Sequence, residues 1–247
     1  MRPNRTPPGR LIRTALAATA LFAFAGGVHA DASRDAPVPL LWKVSDSDNS
    51  LYLLGSFHLL KPDDYPLSRD VDDAFADAEK VMFELPPEEL GSPALGMLMG
   101  QAALRGDGTT LDSELPDDTR QALAAWMEAN AAELQKQHMA PQVMQMFEPW
   151  FVALMVAIVE MQKAGLDSEL GLDLHLAQRA ARTGKATGGL ETGAQQIAFL
   201  DGMDRTEQIQ FLQESLNSAA DGRAEIERLQ AARRQGDVEG LWEGMAV

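Results

Sequence analysis

Short apolar runs bounded by turn-forming residues predict four β-strands in this chain. The runs Leu40–Ser45 and Leu51–Phe57 flank the segment DSDNS, whose residue types favour a tight turn, so the pair predicts a β-hairpin. Lys80–Leu85 predicts a third strand, and the two prolines that follow it mark its end. The glycine-containing run Lys185–Leu190 predicts a fourth strand late in the chain.

Helical patterns dominate the rest of the sequence. In Ser68–Glu79 the apolar residues recur with i, i+3, i+4, i+7 spacing, which predicts a short amphipathic helix. Helices are also predicted over most of residues 93–198, from the capping pattern Asp204-x-x-Glu207 to about Asn217, and over Arg223–Gln235. This order of elements predicts an α/β fold, with α+β as the alternative, in which a small central sheet carries a large helical insertion.

The run Phe151–Val159 is almost wholly apolar and lies inside the helical stretch. A membrane-spanning helix needs about 20 apolar residues, and Glu148 and Glu160 bracket this run too closely, so we interpret it as a buried central helix. The residues expected in the core are Trp42, Leu53, Phe75, Val81, Phe83, Trp150, Leu154, Ile158 and Leu174.

Residues 1–30 have the composition of an export signal. Arginines come first, the apolar run Thr14–Gly27 follows, and small residues precede Asp31, the first acidic residue. This order predicts a secretory signal peptide cleaved after Ala30, because the apolar run is too short for the alternative, a membrane anchor. We expect residues 31–247 to form a single exported domain without a transmembrane helix, located in the periplasm of a Gram-negative bacterium.

Charge and cysteine content exclude several classes of function. The chain has 37 acidic residues against 21 lysines and arginines, a net charge of −16, and therefore lacks the basic character that binding to nucleic acid requires. It contains no cysteine, which excludes disulfides, thiol nucleophiles and thiolate metal sites. It also lacks the nucleophile elbow of serine hydrolases, the phosphate and dinucleotide loops, and the His-Glu-x-x-His zinc pattern. The oligomeric state stays open.

Polar residues at predicted strand ends are candidates for a metal site. His58 closes the run LYLLGSFH three residues after Gly55, a glycine that lets the backbone approach a neighbour closely, and Glu84 and Glu191 end the third and fourth strands. If these strands are neighbours, an imidazole and a carboxylate can converge on one cation. Each residue also has a structural interpretation: the histidine as a packed strand end, Glu84 as the start of a loop, and Glu191 as a helix cap.

The order of these motifs resembles the TraB/GumN family, which includes the Tiki proteases. The similar segments are LWKV, the run LYLLGSFHLLKPDDYPLSRDVDDAFADAEKVMFELP, the Pro-Trp pair before the apolar helix, Gly171-Leu172-Asp173, the run GKATGGLETGAQQIAFL, and Gly236-Asp237. The resemblance spans residues 40–241, and it implies an α/β fold related to the erythromycin-esterase-like and ChaN-like proteins.

The resemblance also implies a function and a set of site residues. It implies a divalent-metal-dependent hydrolase that uses Mn²⁺ or Co²⁺ to activate water and acts on a peptide or protein substrate. His58 would be a metal ligand for which Gly55 makes room. Glu84 would be a ligand or the catalytic base, and Glu191 a further acidic catalytic residue.

One family feature has no counterpart here. The second Gly-x-x-His of the family follows the Gly-Asp landmark, and no such motif occurs between Asp237 and Val247. We therefore expect residues 31–247 to be a single TraB/GumN-like domain that is incomplete at its C-terminus, with half of the metal site absent. The alternative function is a non-catalytic periplasmic protein that binds a partner or assists polysaccharide production.

Overall fold

The computed structural model describes residues 36–245, and the predicted signal peptide lies outside these residues. In chain order, the strands and helices are β1 Leu41–Ser45, β2 Ser50–Leu54, α1 Arg69–Asp77, β3 Lys80–Phe83, α2 Pro93–Ala102, α3 Asp117–Ala129, α4 Ala131–Lys136, α5 Pro141–Met144, α6 Pro149–Lys163, α7 Leu172–Thr183, β4 Ala186–Gly189, α8 Gly193–Asp201, α9 Arg205–Asp221, α10 Arg223–Gln235 and α11 Val238–Met245. This architecture confirms the predicted α/β fold with a large helical part.

Within residues 36–245 the strands form two small sheets instead of one central sheet. β1 and β2 form the predicted antiparallel hairpin, in which Trp42 lies opposite Leu53. β3 and β4 pair in parallel, with Phe83 opposite Gly189. β2 ends at Leu54, three residues earlier than predicted, so the Gly-x-x-His motif lies beyond the end of the strand.

One face of the hairpin is more exposed than the sequence analysis predicted. On the inner face, the Tyr52 hydroxyl donates a hydrogen bond of 2.6 Å to Asp77 at the end of α1. Trp42 and Leu53 lie on the outer face, where they are 41% and 48% exposed, so their predicted burial is wrong. Alternation along a strand determines which residues share a face, but the packing of other elements determines which face is covered.

A first hydrophobic core lies beneath the β3–β4 sheet. Phe75 of α1 and Phe83 of β3 are buried as predicted, and they pack in one cluster with Leu172 and Leu176 of α7. Val81 is partly buried against this cluster. The core thereby fixes the end of β3 relative to the start of α7. Both elements lie next to the Gly-x-x-His loop in space, although they follow it in the sequence.

The second core is helical and is built around α6. Trp150, Val152 and Val156 of α6 are buried, which confirms the predicted central helix, whereas Leu154 and Ile158 are half-buried. The helix packs most extensively against α9. In the part of the chain that the structure describes, no helix combines the length and apolar character needed to cross a membrane.

The end of the helical part follows the local sequence signals closely. α9 begins at the predicted capping box, in which Asp204 accepts a hydrogen bond from the Glu207 N–H and Glu207 accepts one from the Asp204 N–H, both at 3.0 Å. α9 continues to Asp221, beyond the predicted end, and α10 has the predicted limits Arg223–Gln235.

Candidate functional site

His58 lies in a loop after β2 and not at the end of a strand as predicted. The last hairpin-type contact is the hydrogen bond of 2.8 Å from the Gly55 N–H to the Leu40 carbonyl. A Cβ atom at Gly55 would lie 3.1 Å from Leu40 Cβ, which is why a glycine fits at this close approach. Beyond Gly55 the chain leaves the hairpin, and the Phe57 carbonyl accepts a hydrogen bond of 2.9 Å from the Leu172 N–H of α7.

Glu84 directly follows β3 and meets His58 across this loop. The His58 Nε2 and Glu84 Oε2 atoms are 3.7 Å apart. Both side chains are about half exposed, at 59% for His58 and 49% for Glu84. The structure therefore brings together the imidazole and the first carboxylate that the sequence analysis selected, and it leaves both open to solvent.

The other ring nitrogen of His58 contacts a residue that the sequence analysis did not select. The His58 Nδ1 and Asp173 Oδ2 atoms are 2.8 Å apart, although the two residues are 115 positions apart in the sequence. Asp173 lies in the first turn of α7 and its side chain is only 15% exposed. The Gly171-Leu172-Asp173 landmark was a signal for this residue, but nothing in the local pattern paired it with His58.

Two carboxylates shift the titration of His58. The hydrogen bond with Asp173 raises the pKa of His58 above its ordinary value of 6.5, and the charge of Glu84 adds to this effect, while burial opposes it. Burial would raise the pKa of Asp173, but the hydrogen bond and charge of His58 outweigh burial and lower it. Asp173 is therefore held as a carboxylate, which the N-terminal end of α7 also favours.

Glu191 lies beside Glu84 in the backbone but has a different side-chain partner. Its N–H donates a hydrogen bond of 3.0 Å to the Glu84 carbonyl, which extends the β3–β4 pairing by one step. Its side chain accepts a hydrogen bond of 2.8 Å from Gln196 in α8. A direct catalytic role for Glu191 stays a prediction, since the contacts of its side chain lie toward α8.

The distance between His58 and Glu84 is compatible with two ligands of one divalent cation. Donors that each lie about 2.1 Å from a shared ion are themselves roughly 3–4 Å apart, and the observed separation is 3.7 Å. A carboxylate on the second nitrogen of a ligating histidine is also the usual arrangement in metal sites. Between residues 36 and 245 no group of three histidine or acidic side chains is placed to hold an ion.

Comparison with known families agrees with the order of these motifs. The model of the TraB/PrgY/gumN family matches residues 40–246. The chain belongs to this family. For this TraB/PrgY/gumN protein, no curated protein and no solved structure gives a significant match. The family match covers the hairpin, the His58–Glu84–Asp173 cluster and both hydrophobic cores.

Proposed function

We propose that this TraB/PrgY/gumN protein is an exported hydrolase that depends on a divalent metal and cleaves peptide bonds. The single observation that carries the proposal is the 3.7 Å separation of His58 Nε2 and Glu84 Oε2, with Asp173 on the opposite nitrogen of the ring. This is the donor set expected of a histidine–carboxylate metal site. The family resemblance to peptidases that use Mn²⁺ or Co²⁺ supports the choice of metal and of substrate class.

His58, Glu84 and Glu191 have different roles in this proposal. His58 and Glu84 would hold the cation, which when bound would supply a water of lowered pKa and polarise the peptide carbonyl. The Glu84 carboxylate would accept a proton from the water as the water oxygen adds to the carbonyl carbon. Glu84 then returns this proton to the amine as the C–N bond breaks. Glu191 is the further acidic residue in this proposal, and its backbone N–H donates a hydrogen bond to the Glu84 carbonyl.

Export is part of the proposal and rests on the residues before Asp31. Their arginine-rich start, apolar run and small-residue end support cleavage after Ala30. The absence of cysteine means that folding in an oxidising compartment would not depend on disulfide formation.

Calorimetric titration of the purified protein with Mn²⁺ and with Co²⁺ tests the metal site. We expect saturable binding that is lost in His58→Ala and weakened in Glu84→Gln. His138→Asn is the matched control because it also removes an imidazole, and asparagine tolerates the positive φ of 58° at that position. The control should bind metal as the unchanged protein does.

Peptide cleavage is then measured on the same preparations with metal added or chelated. Metal-dependent cleavage that disappears in Glu84→Gln supports the hydrolase. Absence of any binding of Mn²⁺ or Co²⁺ by the unchanged protein overturns it and favours the non-catalytic alternative. The lack of a third protein ligand among residues 36–245 is the observation that favours this alternative.

A further inference from the structure

The start of α7 holds the backbone of the His58 loop closely. The Leu172 N–H donates to the Phe57 carbonyl at 2.9 Å. A Cβ atom at Gly171 would lie 2.5 Å from the His58 carbonyl oxygen, so only a glycine lets the helix start approach this closely. The backbone at His58 is therefore held against the start of α7, which fixes the point from which the ring extends.

The contact between the His58 and Asp173 side chains determines which ring nitrogen of His58 carries the proton. An ionised carboxylate can only accept hydrogen bonds, so in the contact of 2.8 Å the proton lies on His58 Nδ1, which donates to Asp173. In the neutral ring Nε2 then carries the lone pair, and this atom is the one that faces Glu84. The separation of 3.7 Å between Nε2 and Glu84 Oε2 is longer than a hydrogen bond, which leaves Nε2 available as a ligand.

We propose that Asp173 is the positioning residue of the site, holding His58 in the Nδ1–H tautomer and aiming Nε2 at Glu84. This inference rests on the proposed function for its consequence, which is metal affinity, but the tautomer itself is a property of the metal-free protein. The low exposure of Asp173 matters because water competes weakly for its carboxylate. Its role differs from that of His58 and Glu84, since it acts only through the ring that it orients.

The first measurement is the ¹⁵N NMR spectrum of His58 in the metal-free protein, at a pH well above its titration. We expect the neutral ring to be in the Nδ1–H form in the unchanged protein. In Asp173→Ala and in the isosteric Asp173→Asn, the spectrum should move to the Nε2–H form or to a mixture. Circular dichroism of Asp173→Asn verifies that this variant is folded. An unchanged protein in the Nε2–H form, or folded variants that retain the Nδ1–H form, would overturn the inference.

The second measurement is metal affinity in the same variants. Loss of the carboxylate behind a ligating histidine should weaken Mn²⁺ binding about 10–100-fold. Glu169→Gln is the charge control, because Glu169 is an exposed acidic residue just before α7, and we expect less than a threefold change.

The two measurements separate the two proposals. If the unchanged protein binds no Mn²⁺ or Co²⁺ but the tautomer depends on Asp173, the positioning inference stands and the metal hydrolase fails. If metal binds and the Asp173 variants bind it as tightly as Glu169→Gln does, the positioning inference fails and the hydrolase stands.

Discussion

Removal of the buried Asp64 carboxylate should be among the most destabilising single changes in the described part of this protein. Asp64 is 1% exposed and accepts hydrogen bonds from Arg233 and Arg234 of α10 and from the Lys61 N–H at 2.8 Å. Arg233 also lies over the ring of Phe57, with 5.4 Å between the guanidinium carbon and the ring centroid. The ion pair therefore attaches α10 to the segment on either side of His58.

The expected loss of stability follows from which charges stay buried. In Asp64→Ala the Arg233 side chain, only 9% exposed, keeps its charge without the carboxylate that compensated it. Breaking a buried pair in this way costs about 3–5 kcal/mol. Arg234 is 34% exposed and can recover hydration, so it should add little. Burial already lowers the pKa of Arg233, and the Asp64 charge opposes that shift, which fits a guanidinium that depends on its partner.

Urea unfolding, followed by circular dichroism and tryptophan fluorescence, measures this loss. With a slope of about 2–3 kcal/mol per molar urea, the midpoint of Asp64→Ala should fall by about 1–2.5 M. The matched control is Asp63→Ala, since Asp63 is 73% exposed and 4.0 Å from Arg234; its change should stay within about 0.5 kcal/mol. The double variant Asp64→Ala/Arg233→Met should recover most of the loss, because it removes the uncompensated charge.

A small effect would refute this reasoning. If Asp64→Ala and Asp63→Ala lose the same free energy of unfolding, below about 1 kcal/mol, the Arg233 guanidinium must be hydrated in the folded protein. If the double variant is no more stable than Asp64→Ala, the loss comes from packing or from the Lys61 contact and not from the buried charge.

Three further predictions concern titration, packing and processing. NMR titration should place the pKa of His58 above 6.5 and the pKa of His175 below 6.5, because burial and neighbouring arginines lower the latter. The interaction of protonated His58 with its carboxylates then stabilises the fold below pH 6.5, and this stabilisation is lost as the pH rises through the raised pKa. Equal titration midpoints for the two histidines would contradict this. Gly189→Ala should lower the free energy of unfolding in urea by about 1–3 kcal/mol, because the new Cβ would lie 2.5 Å from the proline ring that follows β3. The control Gly96→Ala, in the exposed part of α2, has open space around the new Cβ and should raise the free energy of unfolding by about 0.5–1 kcal/mol. An unchanged stability of Gly189→Ala would refute the close approach. N-terminal sequencing of the exported protein should begin at Asp31, and an intact N-terminus would exclude the cleavage proposed here.

Local sequence signals predicted the secondary structure well because the interactions behind them are themselves local. The capping box at Asp204 and the limits of α10 depend on residues within one helical turn. The hairpin pairing follows from two apolar runs and the turn between them. The end of β2 was predicted three residues too late, since Leu51–Phe57 is one apolar run in the sequence, whereas in the structure the Phe57 carbonyl accepts a hydrogen bond from the Leu172 N–H of α7.

The site was predictable in part. The residue types and their positions next to strands selected His58 and Glu84, and parallel pairing of β3 and β4 places Glu84 beside the backbone of Glu191. Asp173 could not be paired with His58 from local patterns, because the two are 115 residues apart and meet only when α7 packs on the core beneath β3.

The sequence by itself determined which segments are helices and strands, which residues share a face, and which polar side chains lie next to strand ends. Tertiary packing alone decided that Trp42 and Leu53 are exposed, that Asp64 is buried against Arg233, and that Asp173 contacts His58. Capping hydrogen bonds and helical periodicity involve residues a few positions apart, so the local sequence is enough to predict them. Burial and charge pairing depend on surfaces that meet across the chain, and no local pattern contains them.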